Sequence, residues 1–309
     1  MALSGKEDGG ADRAAKTKYD PEFTDKVIAA TGPKALPRLK EIMPSLLRHL
    51  HDFARDVDLT VAELFAGIEL INEAGRMSTD KRNETGMLCD ILGLESLADE
   101  ISSKLLSDSG SSGTATPSTV LGPFYRANAP LLPSGSSIVY AAPDSPWSVQ
   151  AAPWLTHLSG RVVSASTGEP AAGAVVDVWM ADARGLYEQQ DAGQPEMNLR
   201  GRVRADEATG RYAVYCVRPS AYQVPRDGPG GRLLELLDRH PYRPAHMHFV
   251  VTAPGFRALT TQVFDRDDEH VRDDTVFAVK DELLVKFEPR EGDDRARWTV
   301  EYDFALSEA

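Results

Sequence analysis

Cysteine is nearly absent: the 309 residues contain two, Cys89 and Cys216, far apart in the chain. They form no CxxC pair and argue against a disulfide-stapled fold. Any metal in this chain must therefore be held mainly by oxygen and nitrogen donors. Long apolar runs are missing as well. No stretch approaches the roughly 18–20 residues of a membrane span. The opening segment, MALSGKEDGGADRAAKTKYD, has no apolar h-region, so no secretory signal and a cytoplasmic location are expected. Positive charge is in deficit, with Lys+Arg 34 against Asp+Glu 47 and a net charge of −13. That balance argues against a nucleic-acid partner, which calls for a basic face, and says little about a small substrate. What remains is a globular composition, 42% hydrophobic and 26% charged, at a length suited to one large domain or two ordinary ones.

Residues 1–18 are rich in Gly, Ala, Lys and Asp and read as a flexible tail. From Pro21 to Leu106 the pattern is helical. Leu46, Leu47, Leu50, Phe53, Ala54 and Val57 recur at three- and four-residue steps, the signature of one helix face. Thr60 and Glu63 have capping-box spacing ahead of Leu64, Phe65, Ile68 and Ile71. Met87, Leu88, Ile91 and Leu92 lead to Gly93, a helix stop, and Leu94–Leu106 reads as a further helix. Ser107–Thr119 is a Ser/Thr/Gly linker by composition. Beyond it, short strands dominate. They are expected at His157–Ser166, Ala174–Met180, Ala245–Thr252, Ala258–Asp265 and Trp298–Phe304. A β-hairpin is expected from Arg200–Ala205 and Arg211–Val217 around the Asp206–Gly210 turn. The expected division is a tail at 1–18, a helical domain at 19–115 and an all-β sandwich or barrel at 116–309.

The sharpest chemical feature is Arg243-Pro244-Ala245-His246-Met247-His248. On a strand, His246 and His248 share one face with Cα atoms roughly 6.5–7 Å apart, close enough for both imidazoles to meet one ion. The bland alternative is two unrelated histidines at a strand end. His49 and His51 have the same spacing in a helical pattern, where they diverge by roughly 200° and serve no common ion. His157, His240 and His270 stand alone. Two histidines do not complete a site, and HExxH is absent. A two-His-one-carboxylate iron site stays open on spacing. So does a site completed by tyrosine, whose phenolate is a hard donor suited to Fe(III). Tyr187 and Tyr222 both fall in loop-like contexts, although a lone tyrosine is ordinarily a packed aromatic.

Six short segments, taken together and in order, resemble the intradiol ring-cleaving dioxygenases. They are Leu121-Gly122-Pro123-Phe124-Tyr125, Val176-Asp177-Val178-Trp179, Gly185-Leu186-Tyr187, Pro219-Ser220-Ala221-Tyr222, Arg243–His248 and Leu259-Thr260-Thr261-Gln262. The resemblance runs from about residue 20 to about 305. It implies a β-sandwich catalytic domain behind an N-terminal α-helical dimerisation domain, and one non-haem Fe(III) per chain held by Tyr187, Tyr222, His246 and His248. It further implies that a vicinal diol binds as a dianion and displaces Tyr222, which takes up a proton. Arg243 stabilises negative charge on the substrate, or serves as a structural ion pair, and Gln262 hydrogen-bonds in the pocket. Dioxygen is the co-substrate, a homodimer is implied, and related enzymes hold a lipid between their N-terminal helices.

Within the family, His240-Pro241-Tyr242-Arg243-Pro244, Val224–Pro229, Met197–Arg202 and Asp267–His270 are similar to hydroxyquinol 1,2-dioxygenases. The expected product is then 3-hydroxy-cis,cis-muconate or maleylacetate. Asp90, on the segment matching the pocket-facing helix, is placed to accept a hydrogen bond from the third hydroxyl of 1,2,4-trihydroxybenzene, or is a solvated helix residue. Met87, Leu121, Gly122, Val224, Pro225 and Val276 are the implied pocket lining. Met180 stands where catechol-type members often have His. Leu121 stands where hydroxyquinol enzymes often carry an aromatic, which keeps catechol and chlorocatechol as alternatives. A non-enzymatic β-sandwich binding module is the alternative of another class.

Overall fold

A computed structural model of the chain describes residues 19–108 and 115–309. The expected tail, 1–18, lies outside the described residues, as do residues 109–114 of the expected linker. Two compact units divide between Ile68 and Glu69. The division in packing therefore falls earlier than the change in composition near residue 115.

The first unit contains α1 (Phe23–Ala29), α2 (Pro37–Asp56) and the opening of α3 (Val61–Met77). The capping box is present. The Glu63 amide donates to Thr60 Oγ1 at 3.2 Å and the Thr60 amide to Glu63 Oε2 at 2.9 Å. Leu39, Ile42, Leu46, Leu50 and Phe53 form an apolar stripe on α2, continued by Val57 at its C-cap, that is exposed in this chain. His49 is exposed, while His51 stacks on Phe23 and meets Thr24 Oγ1 at 3.0 Å, so the two imidazoles have separate surroundings.

The second unit opens with the rest of α3, then α4 (Glu84–Ile91) and α5 (Leu94–Asp108). Two strands, β1 (Leu131–Leu132) and β2 (Ser136–Ser137), and α6 (Pro146–Ala151) lead into the sandwich. Its strands are β3 (Leu155–Ser164), β4 (Val175–Met180), β5 (Arg200–Arg204) and β6 (Arg211–Val217). After β7 (Tyr222–Gln223), α7 (Pro229–Leu236) and β8 (Tyr242–Arg243) come β9 (His246–Thr252) and β10 (Leu259–Asp265). The chain closes with β11 (Leu284–Val285), β12 (Glu288–Pro289), β13 (Trp298–Glu301) and β14 (Phe304–Leu306). One six-stranded sheet has the order β1-β5-β4-β9-β10-β11. The other runs β12-β13-β3-β6-β2, with β14 also paired to β3. This is the expected β-sandwich behind N-terminal helices.

Strand alternation decides which face does what. Val176, Val178 and Met180 of β4, with Met247, Phe249 and Val251 of β9, are buried against Leu158, Val162, Val214 and Phe304 of the opposite sheet. The intervening residues of β4 and β9, among them Trp179, His246 and His248, face the other way. The site residues thus lie on the outer face of the first sheet, where a row crosses three strands in register, Trp179–His248–Gln262.

Two local expectations are corrected. β5 and β6 do not form a hairpin: β5 pairs with β1 and β4, and β6 with β2 and β3. The turn itself closes, with the Asp206 amide donating to the Arg211 carbonyl at 2.8 Å. The strands then part because each buries its apolar residues in a different sheet. The last expected strand is also interrupted at Tyr302 and Asp303, so that β13 and β14 pair separately with β3.

Candidate metal centre

Four side chains from three places in the chain converge on the outer face of the first sheet. His246 and His248 come from β9, with Nε2 atoms 3.1 Å apart. Tyr187 Oη lies 3.0 Å from His248 Nε2 and 3.4 Å from Tyr222 Oη. The Tyr222 and His246 rings are 5.4 Å apart between centroids. All four residues are buried.

Local structure explains each placement. After β4 the chain makes a tight loop around Asp182. The buried Asp182 carboxylate accepts from the Arg184 amide, the Leu186 amide and Trp147 Nε1 at 2.8, 3.1 and 2.9 Å. Gly185 takes a φ of +80° there, and a Cβ on it would fall 2.4 Å from Tyr222 Cβ. Tyr187 then leads into a single 3-10 turn, Glu188–Gln190, its amide donating to Gln190 Oε1 at 3.0 Å. Tyr222 sits on β7, paired only with β8, directly opposite Arg243. Beneath His248 lies Gly122, whose added Cβ would come within 2.9 Å of the imidazole Cε1. Trp179 stacks on the same ring at 4.9 Å and 8°.

His246 Nδ1 is 2.6 Å from the Pro244 carbonyl. A carbonyl only accepts, so Nδ1 carries the proton and Nε2 presents its lone pair to the cluster. Burial, then the Arg243 charge, lowers the His246 pKa to about 3. Burial likewise pushes His248 well below the usual imidazole range, helped by His246 and Arg243. Both shifts favour the neutral imidazole, the form that binds metal. Burial raises both phenols; Tyr222 raises Tyr187 further, whereas the hydrogen bond from Tyr187 lowers Tyr222, and Arg243 pulls both downward. Two ionised phenolates here call for a strong positive charge at the meeting point. Among the described residues no group of three or more His, Cys, Asp or Glu side chains gathers as a metal site. The oxygens that lie beside the imidazoles and each other are those of the two phenols. The donor set, two phenol oxygens that become hard anionic donors on losing their protons and two imidazole nitrogens at mutual distances of 3.0–3.4 Å, fits the Fe(III) that the resemblance implies.

Arg243 is buried beside this cluster. Its Nη1 lies 3.0 Å from His246 Nε2, and Nη2 donates to Gln262 Oε1 at 2.9 Å. Nε and Nη2 donate to the two oxygens of Asp274 at 3.1 Å each. Burial alone would raise the Asp274 carboxyl, but the Arg243 charge and hydrogen bonds outweigh it and hold it below the usual range. Gln262 completes the brace by donating Nε2 to the Val120 carbonyl at 2.7 Å. Arg243 is thus ion-paired with Asp274 and also faces the cluster.

The other expected residues have the following surroundings. Met87, Val224 and Val276 share a buried apolar cluster with Ile91 and Phe264, and Phe264 packs on His246 at 5.7 Å. Leu121 packs against the cluster containing Tyr187 and Tyr222. Pro225 is half-buried after Val224. Asp90 on α4 is 2% exposed rather than solvated. Its Oδ1 has no hydrogen-bond partner among the described residues. Burial, then a hydrogen bond with Glu95, pushes its pKa well above the carboxylate range. A surface cavity of about 620 Å³ is lined by Asp274, Thr275 and Phe277, among others, but by none of the four Tyr and His side chains. Sequence reasoning missed Asp274, Asp182 and the buried Arg200–Glu188 pair. Their only signal was charge inside otherwise apolar or turn segments.

Comparison with known proteins gives the family. Residues 150–308 match the dioxygenase family model and residues 37–109 the catechol dioxygenase N terminus. An intradiol ring-cleavage dioxygenase of Aspergillus niger is 43% identical over 94% of this chain and 89% of its own length. A catechol 1,2-dioxygenase of Candida albicans is 39% identical over 92% of this chain and 91% of its own. The solved structure of a hydroxyquinol 1,2-dioxygenase from Pseudomonas putida superposes with a TM-score of 0.75 at 36% identity, covering 93% of this chain and 98% of that one. With the domain models spanning both parts of the sequence and relatives aligned along nearly all of it, the chain belongs to the intradiol ring-cleavage dioxygenases.

Proposed function

We propose that the chain cleaves hydroxyquinol between its vicinal hydroxyls with dioxygen, giving 3-hydroxy-cis,cis-muconate, the tautomer of maleylacetate. The family uses non-haem iron, and in this reading one Fe(III) per chain is held by Tyr187, Tyr222, His246 and His248. The observation that supports the ligand set is the meeting of two phenol oxygens and two imidazole Nε2 atoms in one buried cluster. Bound there, Fe(III) supplies the Lewis acidity that favours the diol's dianion and prepares its ring for dioxygen.

The remaining work belongs to the side chains. The Tyr222 oxygen accepts a proton from a substrate hydroxyl. Tyr222 suits that role because its two-residue strand lies outside both main sheets, paired with β8. Arg243, braced by Asp274 and Gln262 with Nη1 turned toward the cluster, stabilises negative charge on the substrate. Met87, Leu121, Gly122, Val224, Pro225 and Val276 wall the ring and keep water out.

Asp90 supports the substrate choice. A buried oxygen without a partner is costly and is satisfied by a ligand donor. The third hydroxyl of hydroxyquinol supplies one and catechol does not. Catechol is the second reading, favoured by Leu121; chlorocatechol belongs with it. Residues 19–115 are proposed as a dimerisation segment, with lipid between its helices, and 116–309 as the catalytic domain. The exposed stripe on α2 supports the former.

The test compares kcat/KM for hydroxyquinol, catechol and a chlorocatechol in the wild type and in Asp90→Ala. Hydroxyquinol should be preferred, and the hydroxyquinol-to-catechol ratio should fall roughly tenfold in the variant, as expected for one lost hydrogen bond. A preference for catechol, or an unchanged ratio, sinks the assignment.

A further inference from the structure

Arg200 opens β5 with 1% of its surface exposed, and it is among the largest fully buried side chains of the described residues. Burying a guanidinium is expensive unless its donors are satisfied. Here each nitrogen has a partner. Nε donates to Glu188 Oε2 at 2.7 Å, Nη1 to the Phe124 carbonyl at 2.8 Å, and Nη2 to Gln189 Oε1 at 2.7 Å. All three partners flank Tyr187. Glu188 and Gln189 follow it in the chain, and the Phe124 ring packs on it at 4.8 Å. The guanidinium carbon stands 5.7 Å from the centroid of the Tyr187 ring. The second Glu188 oxygen accepts from Arg126 Nη1 at 2.7 Å.

Apolar packing alone would suit this space better, since a buried ion pair is often replaced by hydrophobic residues at no loss of stability. The two phenols are also held differently. Tyr222 has the short β7–β8 pairing and Arg243, whereas the segment carrying Tyr187 is tied down by a fork that reaches three points around it. We infer that Arg200, with Glu188 as counter-ion, is a positioning residue that locks Tyr187 as the donor that stays in place while Tyr222 moves, and that holds a positive charge against its ring. This inference rests on the proposed ligand set.

The test uses the iron-loaded full chain and reads the phenolate-to-Fe(III) absorption band and iron retention against a chelator. Arg200→Gln removes the cation that lowers the filled orbitals of the phenolate, so the band should move to longer wavelength. Glu188→Gln leaves that cation uncompensated, so the band should move to shorter wavelength. Arg200→Lys keeps the charge without the fork. It should leave the band near its wild-type position while iron is lost roughly 10–100-fold more readily, the usual cost of disturbing an outer partner of a metal ligand. A merely structural ion pair would lower stability in these variants without moving the band in opposite directions, and that result overturns the inference. Should Arg200→Gln fail to fold, the Glu188→Gln shift and the Arg200→Lys iron retention decide alone. Tyr187→Phe separates the two levels. An unchanged band in that variant removes Tyr187 from the ligand set, and the present inference falls with it. A band lost in Tyr187→Phe but unmoved by Arg200→Gln and Glu188→Gln overturns only the role of Arg200.

Discussion

Gly185 and Tyr222 leave no room for a carbon between them. A Cβ on Gly185 would lie 2.4 Å from Tyr222 Cβ and 3.3 Å from its Cα, at a φ of +80°. The contact is with the root of the side chain, so Tyr222 cannot swing aside without its backbone. Gly185→Ala should therefore cost about 1–2 kcal/mol in backbone conformation and displace Tyr222 as well. Chemical denaturation should report a loss of at least that size, and the iron-loaded variant should have weakened phenolate absorption. Wild-type absorption with unchanged stability would show that the loop yields freely.

The Arg243–Asp274 pair makes a prediction about catalysis separable from binding. Both residues are buried, and removing one partner of such a pair leaves an uncompensated charge costing about 3–5 kcal/mol. Asp274→Asn should destabilise the fold by that order and release Arg243 from its aim at His246. Arg243→Lys retains the charge but cannot span Asp274, Gln262 and the cluster together. Its kcat should fall by far more than its KM changes, measured by steady-state turnover. A pure KM effect would place Arg243 in substrate docking alone.

The elements were legible where the physics is local. The Thr60–Glu63 box forms because its two halves are three residues apart. His246 and His248 share a face because a strand alternates. The β5–β6 hairpin failed for the complementary reason: a turn closes locally, but which sheet each strand joins is decided by apolar faces that meet only in the folded core. The site divides the same way. The histidine pair could be read from spacing, but Tyr187 and Tyr222 were reached only through the family resemblance, since a loop tyrosine carries no local mark of its partners. Asp274 escaped because its partner, Arg243, is 31 residues away in sequence. Arg200 escaped because its exposed-looking run, Arg200-Gly201-Arg202, gives no hint that one guanidinium turns inward.

Asp90 gives a pH dependence with a definite sign. Its folded pKa is raised, first by burial and then by Glu95, so the folded state holds a proton that the unfolded chain gives up at about pH 3.9. Stability therefore declines as pH rises above that value, since the folded state binds more protons than the unfolded one. Asp90→Asn carries no ionisable group and escapes the decline. Thermal melts should find the variant more stable than wild type at pH 8, with the difference fading toward pH 4. Equal melting temperatures at pH 8 would mean that the carboxyl is ionised at no cost in the fold.

The apolar stripe on α2 bears on the assembly. Leu46 and Phe53 are 45% and 55% exposed in the single chain, and an exposed row of large apolar side chains at helical spacing is the usual mark of an interface. On the proposed dimer, each buries apolar surface worth roughly 25 cal/mol per Å². Introducing a carboxylate at either position leaves a charge without a partner in that interface. Leu46→Glu and Phe53→Glu should therefore sediment as monomers at concentrations where the wild type is a dimer. The proposed iron ligands all belong to the unit that begins at Glu69, so both variants should keep the phenolate absorption of the loaded enzyme. A wild-type chain that sediments as a monomer rejects the dimer outright. Variants that stay dimeric move the interface off α2, to the exposed apolar residues of α5, Leu94, Leu97, Ile101 and Leu105.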